Sequence, residues 1–348
     1  MNILKKEKLK QMEEFKMTKP KIGLLYGDAA GVGPEVVAKA LNNQKIVDIA
    51  TWILIGDERI FNRGEKLVDI KINYKKVNDI DEVDPAAGSI WLIDTENTDP
   101  KENVIGELSG ASGKAAGDNL VYALELAKDK KLDGISYGPM NKSALFDGGF
   151  KFKDDISLVA DVFGLEDGFM EVNVMDDIWF TRVTSHIPLK EVTDHITKEN
   201  ILSSVEFANE IVEKAGIKPK IAVAGLNPHA GDNGLLGSEE DEIITPALEE
   251  AKENGIDVHG PFSADTIFLR LKKEGYNCLL GMYHDQAQIG MKTMGFNKGV
   301  TISGGLPIVI TTCAHGTAFD IAGKGIVDPS AFEEALALGV KLINNGYN

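Results

Sequence analysis

Short apolar runs alternate with amphipathic stretches along the chain, and this alternation predicts an α/β fold. Six runs rich in Ile, Val and Leu are bounded by Gly or Asp, as buried parallel strands are: residues 21–26, 49–55, 89–93, 134–137, 220–224 and 278–282. Helical periodicity lies between them, over residues 35–41, 114–128, 198–214 and 239–254. Residues 169–174 and 178–184 flank a short polar turn and predict a hairpin, so we expect part of the sheet to be antiparallel.

Length and composition narrow this picture. At about 150 residues per domain, a chain of 348 residues suggests two domains, and no obvious linker separates them. We therefore expect two α/β domains that share one mixed, mostly parallel sheet. The net charge of −17 argues against binding to nucleic acid or to an anionic membrane. The start of the chain has charges but no apolar core, so we expect no export signal and a cytoplasmic protein.

Two cysteines, Cys278 and Cys313, are too few for a disulfide framework or a multi-cysteine zinc site. We expect both to be buried free thiols. No run approaches the roughly 20 apolar residues that a membrane-spanning helix needs. Partners are therefore expected to be small molecules or further protein chains.

Three histidines stand at the ends of predicted strands. His186 ends the second strand of the hairpin, and His229 and His284 follow the runs 220–224 and 278–282. Ligands of α/β sheets collect at the carboxyl ends of strands. Three neutral imidazoles around one cation form a catalytic metal site with open positions for substrate. A structural role for each histidine is the alternative.

Further polar residues accompany these histidines. Lys292 follows His284 by eight residues, on the same side of a helix, where it would hold an anionic substrate group or simply be solvated. Asp265 would either cap the next helix or act as an orienting carboxylate or proton acceptor. The glycine-rich residues 27–35 lack the third glycine of a dinucleotide fingerprint, because that position is Val36. They form either a structural turn or a ligand-facing loop.

The string HGTAFDIAGKG at residues 315–325 is the most specific single motif. Its small residues, including Gly316 and Thr317, allow a ligand to approach the backbone closely. Asp320 would accept hydrogen bonds from the two hydroxyls of an adenosine ribose and would repel a 2′-phosphate, which favours NAD over NADP. A plain structural loop is the alternative.

Seven motifs in a fixed order carry a family resemblance, over roughly residue 20 to the C-terminus. The chain resembles the 4-hydroxythreonine-4-phosphate dehydrogenase family in the motifs at residues 27–35, 138–142, 184–189, 225–231, 261–266, 283–286 and 315–325. The last motif is also similar to the adenosine-binding loop of isopropylmalate and isocitrate dehydrogenases. In that wider group, Asp and Ile at the positions of Asp320 and Ile321 accompany a preference for NAD.

The resemblance implies a fold like that of isocitrate and isopropylmalate dehydrogenases and a homodimer with its active site in an interdomain cleft at the interface. The polar start of the chain itself predicts an extension at residues 1–20. The resemblance implies a cofactor-side domain at 21–140 plus 305–348, and a metal, substrate and dimerisation domain at 141–304. The activity implied is NAD-dependent oxidation of a secondary alcohol, which decarboxylation of the keto acid can follow.

The resemblance also implies roles for individual residues. A divalent metal, zinc before manganese, cobalt or magnesium, would be held across the dimer interface by His186, His229 and His284. Lys292 and Lys142 would contact substrate. Apart from the resemblance, the mechanism needs a proton acceptor for the alcohol, and Asp285, Asp265 and a water are the open candidates.

Four substrate positions depart from the family pattern. The family has His and Thr where this chain has Asp155 and Ile156, Asn where it has Thr301, and Arg where it has Ile310. An isoleucine cannot replace an arginine fork, so the pocket is less positive. We therefore expect a small hydroxy acid, phosphorylated or not, other than 4-phosphohydroxy-L-threonine. The alternatives are a dihydrodiol carboxylate dehydrogenase, a magnesium-dependent dehydrogenase of the isopropylmalate type, or a non-catalytic ligand-binding paralogue.

Overall fold

The structure of the protein is a computed structural model that describes residues 19–85, 90–295 and 298–347. The extension predicted for residues 1–20 lies outside the described residues up to residue 18. In the described part, strands and helices alternate and most strand pairs are parallel. The predicted α/β class with a mixed, mostly parallel sheet is therefore confirmed.

The strands lie close to the apolar runs that predicted them. In chain order they are β1 Lys21–Leu25, β2 Thr51–Gly56, β3 Lys75–Val77, β4 Ile90–Asp94, β5 Gly134–Tyr137, β6 Met170–Met175, β7 Ile178–Arg182, β8 Ile221–Ala224, β9 Val258–Phe262, β10 Cys278–Gly281, β11 Val300–Gly304 and β12 Val309–Cys313.

The helices follow the predicted amphipathic stretches and add several shorter ones. In chain order they are α1 Gly33–Leu41, α2 Gln44–Val47, α3 Glu58–Leu67, α4 Gly110–Lys128, α5 Lys142–Asp147, α6 Asp155–Phe163, α7 Val192–His195, α8 Lys198–Lys214, α9 Thr245–Glu253, α10 Ala264–Glu274, α11 His284–Gly295 and α12 Ser330–Asn344. The helix predicted over 239–254 begins with a π-helical turn, Glu240–Ile244, ahead of α9. Pro246, which has no backbone N–H to donate, stands at the junction.

The chain divides into two compact units. The first unit contains the described residues up to Gly168 and Leu306–Asn344, and the second contains Phe169–Gly305 and Asn345–Tyr347. In the first unit the strand order is β3-β4-β2-β1-β5-β12, and every neighbouring pair is parallel. The inner strands β1 and β2 are almost continuously buried, as in a sheet covered by helices on both faces.

The second unit has a mixed sheet in the order β11-β6-β7-β10-β8-β9. Strand β6 runs antiparallel to both β11 and β7, and the remaining pairs are parallel. Strands β6 and β7 form the predicted hairpin. Asp176 and Asp177 connect them with φ values of 47° and 65°, which is the left-handed backbone that a two-residue hairpin turn requires.

Both cysteines lie in the apolar interior. Cys278 on β10 and Cys313 on β12 are buried free thiols, as expected. Burial disfavours the thiolate and raises the pKa of each to about 12. Neither sulfur is therefore an activated nucleophile near neutral pH. In the described residues, no helix has the length and apolar character needed to cross a membrane.

Helices α5 and α6 pack within the first unit, which therefore extends beyond the limit of residue 140 expected for the first domain. Glycines of α4 allow the contact. A Cβ atom on Gly113 would lie 1.9 Å from the backbone oxygen of Ala144, and one on Gly117 would lie 2.0 Å from the ring of Phe150. The close approach of α4 to the segment after β5 depends on these missing side chains.

Substitution Gly113→Ala is therefore expected to destabilise the protein by about 1–3 kcal/mol, because the methyl group meets rigid backbone rather than a flexible side chain. Urea unfolding measures the change. Glu125→Ala, an exposed position on the same helix, is the control and should shift stability by less than about 0.5 kcal/mol. Equal stability of Gly113→Ala and wild type would contradict this packing.

Candidate functional site

Two of the predicted metal ligands come together at the carboxyl ends of β7 and β10. These strands are parallel neighbours, and their pairing continues beyond the sheet, since Val183 N donates to Gly281 O at 2.9 Å and Thr184 N to Met282 O at 3.1 Å. The segments that follow are therefore adjacent. The rings of His186 and His284 have centroids 5.6 Å apart and an interplanar angle of 45°.

The start of α11 fixes the second of these rings. His284 Nδ1 lies 2.6 Å from Asp285 Oδ1, an arrangement in which Nδ1 donates and Nε2 keeps its lone pair. Gln286 accepts a hydrogen bond from Met282 N at 2.6 Å and donates to Gly225 O at 2.8 Å. The Gln286 side chain thus joins α11 to the loop that follows β8.

His229 lies on that loop, exposed to solvent and in a strained backbone. Its φ is 55°, and the same left-handed region recurs at Ala230, Asp232 and Asn233, with φ of 52°, 44° and 56°. Non-glycine residues persist there only when their surroundings hold them, and such positions cluster at functional sites. The buried Glu240 supplies such support by accepting Asn227 N at 2.7 Å and Asn227 Nδ2 at 2.9 Å.

The histidine pair has the spacing of two ligands of one ion. With metal–nitrogen bonds of about 2.1 Å and tetrahedral angles, two ligating imidazoles have ring centroids about 5 Å apart, close to the separation found. The carboxylate on Nδ1 of His284 is the partner that metal-bound histidines commonly have. Within the described residues of this chain, no group of three His, Cys, Asp or Glu side chains is placed to hold a metal. The chain by itself therefore offers a pair and not a triad.

Two other predicted polar residues of the second unit, Lys292 and Asp265, are exposed, and a third, Thr301, is half-buried. Lys292 lies on α11, two turns after His284. Asp265 lies in the first turn of α10, where Ser263 rather than Asp265 holds the N-cap position. Thr301 on β11 is half-buried, and its hydroxyl accepts a hydrogen bond from Asn173 Nδ2 at 3.0 Å.

In the first unit, Asp155 and Lys142 line one small depression together with the rings of Phe150 and Phe152. Asp155 begins α6, and the buried Tyr137 hydroxyl donates to its Oδ2 at 2.6 Å. This tyrosine was not among the residues singled out in the sequence, because its apolar strand gave no sign of a polar role.

The two isoleucines at departing substrate positions lie in the interior. Ile156 is 8% exposed and Ile310 is fully buried. Ile310 stands on β12 opposite Ile135 of β5, among apolar strand residues. At both positions the chain therefore presents hydrocarbon to the core.

The loop at residues 315–325 packs against residues 27–35 within the first unit. Val32 N donates to Thr317 O at 3.0 Å, and a Cβ on Gly31 would lie 2.8 Å from the same oxygen. Gly316 and Asp320 are exposed and Ile321 is half-buried. The glycine-rich loop therefore gives the 315–325 loop the close backbone support that a nucleotide-binding loop needs.

A buried carboxylate that the sequence did not single out holds the far end of this loop. Glu35, in the first turn of α1, accepts Gly323 N at 2.6 Å and Gly325 N at 2.7 Å. Lys39, one turn later, donates to Gly325 O at 2.9 Å and Val327 O at 2.8 Å. An acidic residue in a first helical turn is common, so only the folded chain shows that it clamps a second loop.

Asp28 joins three segments at the end of β1. Its amide donates to Pro139 O at 2.9 Å, and its Oδ1 accepts from Ala30 N at 2.9 Å and from the Ser112 hydroxyl. Its Oδ2 is buried and has no hydrogen-bond partner in the described structure. Burial raises the pKa of this carboxyl above its ordinary value, although both hydrogen bonds oppose the shift.

Histidines at the carboxyl ends of parallel strands in the second unit are a feature of α/β enzymes, which collect ligands at such strand ends. Comparison with known proteins gives the family. The family model described as pyridoxal phosphate biosynthetic protein PdxA matches residues 48–339. The chain belongs to this family and is a dehydrogenase acting on a CH–OH group.

Relatives are similar to this chain over more than nine-tenths of its length. A Rhizobium meliloti protein, provisionally named 4-hydroxythreonine-4-phosphate dehydrogenase 2, is 45% identical over 94% of both chains. An Oceanobacillus iheyensis protein, provisionally named D-threonate 4-phosphate dehydrogenase, is 40% identical over 93% of this chain and 98% of its own. A 4-hydroxythreonine-4-phosphate dehydrogenase structure from Burkholderia phymatum superposes with a TM-score of 0.76 at 38% identity, covering 93% of this chain and 98% of that chain.

Substitution Asp28→Asn is expected to stabilise the protein increasingly as pH rises. The unfolded carboxyl ionises near 3.8 and the folded one only at higher pH, so the wild type loses stability through that interval and the asparagine variant does not. Urea unfolding at several pH values between 4 and 8 measures the difference, with the exposed Glu125→Gln as control. A difference that shrinks as pH rises would show that this carboxyl is not held back from ionising by burial.

Proposed function

We propose that this protein oxidises the secondary alcohol of a small phosphorylated hydroxy acid, using NAD and a divalent metal, as a homodimer. The observation that carries the proposal is the convergence of His186 and His284, with Asp285 on the second ring, in a chain of this family. Two imidazoles placed in this way could hold a divalent metal, which activates an alcohol when it is bound. The relatives named above supply the substrate class.

The metal site would take His186 and His284 from one chain and His229 from its partner. When bound, a divalent metal lowers the pKa of a coordinated alcohol and so favours loss of its proton. Zinc suits three imidazoles best, with manganese, cobalt and magnesium as alternatives. Asp285 keeps the Nδ1 proton on His284 and leaves Nε2 free to ligate, so Asp285 acts here as an orienting residue. Asp265 or a water is then the better candidate for accepting the proton from the alcohol.

The dimer is supported by exposed apolar side chains next to the histidines. Leu189 follows His186 by three residues and is 71% exposed, Leu235 ends the His229 loop and is 77% exposed, and Ile289 on α11 is 66% exposed. A partner that covers these three side chains would remove exposed apolar surface from water. A second copy that covers them would bring its own His229 toward the histidine pair.

The substrate is proposed to be a four-carbon 4-phosphorylated acid, with D-threonate 4-phosphate as the first candidate. Lys142 and Lys292 are exposed cations that would bind its anionic groups. Asp155, held by Tyr137, would accept a hydrogen bond from a substrate hydroxyl and would repel a phosphate placed beside it. Oxidation at C3 yields a β-keto acid, which loses carbon dioxide readily. The relatives' names make 4-phosphohydroxy-L-threonine, with an amine at C2, the second candidate.

The cofactor is proposed to lie on the 315–325 loop, with Gly316, Thr317 and Ile321 against the adenosine and Asp320 on the ribose hydroxyls. The exposed carboxylate of Asp320 would disfavour the 2′-phosphate of NADP. Glu35 would hold the far end of the loop in place for the nucleotide.

NADH formation is expected with D-threonate 4-phosphate, at a kcat/KM at least about tenfold above that with 4-phosphohydroxy-L-threonine, which corresponds to about 1.4 kcal/mol of discrimination. Absorbance at the NADH band measures it over both phosphates, unphosphorylated D-threonate and a cyclic dihydrodiol carboxylate, with zinc, manganese, cobalt or magnesium. Turnover confined to the dihydrodiol would refute the substrate class, and NADP preferred over NAD would refute the role of Asp320.

A mixture of two inactive variants is expected to recover activity if the metal site is shared between subunits. His186→Ala and His229→Ala should each lose bound metal and turnover, because each removes one ligand. In a mixed dimer one site keeps His186, His284 and the partner copy's His229, so about half of the activity per dimer should return. Subunits are mixed under exchange conditions and assayed for NADH formation and bound metal. His259→Ala, an exposed histidine paired with Asp257, is the control. No recovery in verified mixed dimers would exclude this division of ligands.

A further inference from the structure

A buried polar network lies beneath the proposed metal and substrate site of the second unit. Its centre is Arg182, the last residue of β7, which is 3% exposed, and Asn173 on β6, which is 1% exposed. We propose that Arg182 and Asn173 are positioning residues that set the places of the His186 loop, of α11 and of Thr301. This inference rests on the proposed function, since it concerns the same site.

Arg182 makes two hydrogen bonds and one ion pair through its guanidinium. Its Nη1 donates to Asn173 Oδ1 at 2.7 Å, its Nε donates to Ser185 Oγ at 3.1 Å, and its Nη2 lies 3.4 Å from Glu171 Oε2. A guanidinium is planar and rigid, so these contacts fix the distance between β6 and the residue that precedes His186.

Asn173 extends the network to two further elements. Its Oδ1 also accepts from Gln288 Nε2 at 2.6 Å, and its Nδ2 donates to Thr301 Oγ1 at 3.0 Å and to Glu171 Oε1 at 3.2 Å. Gln288 stands on α11, one turn after His284 and one turn before Lys292. Asn173 therefore connects the helix that carries His284 and Lys292 to the strand that carries Thr301.

Burying Arg182 and Asn173 costs free energy that apolar side chains at the same positions would not cost. Taking a charged guanidinium and an amide out of water is unfavourable, and buried polar groups of this kind can often be exchanged together for apolar ones at little cost in stability. Apolar packing cannot replace the directional hydrogen bonds that fix the spacing and orientation of neighbouring elements. Besides the contacts with Glu171 on β6, the contacts of the pair end on Ser185, Gln288 and Thr301, which lie next to or on the elements that present proposed ligand or substrate residues. We therefore expect the pair to act through those residues.

The test compares wild type with the paired variant Arg182→Met/Asn173→Leu and with Arg182→Lys. Metal affinity is measured by competition with a chelator, and KM is measured separately for the hydroxy acid and for NAD. The paired variant should fold and bind zinc about tenfold more weakly, with kcat/KM for the hydroxy acid reduced about 10–100-fold, as for lost partners of metal ligands. The KM for NAD should stay within about twofold, because the 315–325 loop belongs to the other unit.

The variant Arg182→Lys separates the effect of the positive charge from the effect of the guanidinium geometry. A lysine keeps the positive charge, but its single nitrogen cannot reach both Ser185 and Asn173 with the fork of an arginine. We expect it to weaken zinc binding several-fold, and this variant decides the question if the paired variant does not fold. Trp179→Phe is the control, because it alters a buried polar group on β7 away from the network, and it should leave zinc binding unchanged.

Zinc affinity and KM for the hydroxy acid at wild-type values in either variant would overturn the inference, as would an equal loss for the hydroxy acid and for NAD. Wild-type protein that neither binds a divalent metal nor forms NADH would instead refute the proposed function. The two failures are thus distinguishable, because the second appears in the wild type alone.

Discussion

The candidate site depends on the parallel pairing of β7 with β10. The register pairs Gly281 with Arg182, and backbone hydrogen bonds carry the pairing past the strand ends. As a result His186 and His284, far apart in the chain, follow two adjacent strands in the same direction. In an antiparallel pair the carboxyl ends would lie at opposite edges, and the rings could not meet. The approach of the two histidines in the second unit therefore depends on the parallel direction of β7 and β10.

Buried carboxylates hold the loops that this framework presents. Glu35 holds the 315–325 loop, Glu240 supports the strained His229 loop, and the carboxyl of Asp28 joins residues 27–35 to Ser112 on α4. Each accepts at least one backbone amide, and a typical intramolecular hydrogen bond contributes about 0.5–1.5 kcal/mol to stability. Rigid loops at the strand ends are the consequence, and ligand residues on such loops lose little entropy on binding.

The sequence predicted the strands, helices and turn whose formation depends on residues close together in the chain. Apolar runs located β5, helical periodicity located α8, and the polar Asp176-Asp177 turn indicated the hairpin, because each signal is local. Contacts between distant residues left no such signal. Tyr137 meets Asp155 and Arg182 meets Asn173 only after the sheets have formed. The contacts of Glu35 and Glu240 with distant backbone amides also form only in the folded chain, and in the sequence both residues are only acidic residues near the start of a helix.

His229 shows a second limit of prediction from the sequence. Periodicity places His229 after a strand, and the strand-end argument groups it with His186 and His284. Within one described chain the pair forms and the triad does not, because the strained loop presents His229 to solvent. The proposed partner copy would give a role to this histidine, which a strained backbone holds at the surface of its own chain. The interface would then be part of the chemistry, since neither subunit could complete the site alone.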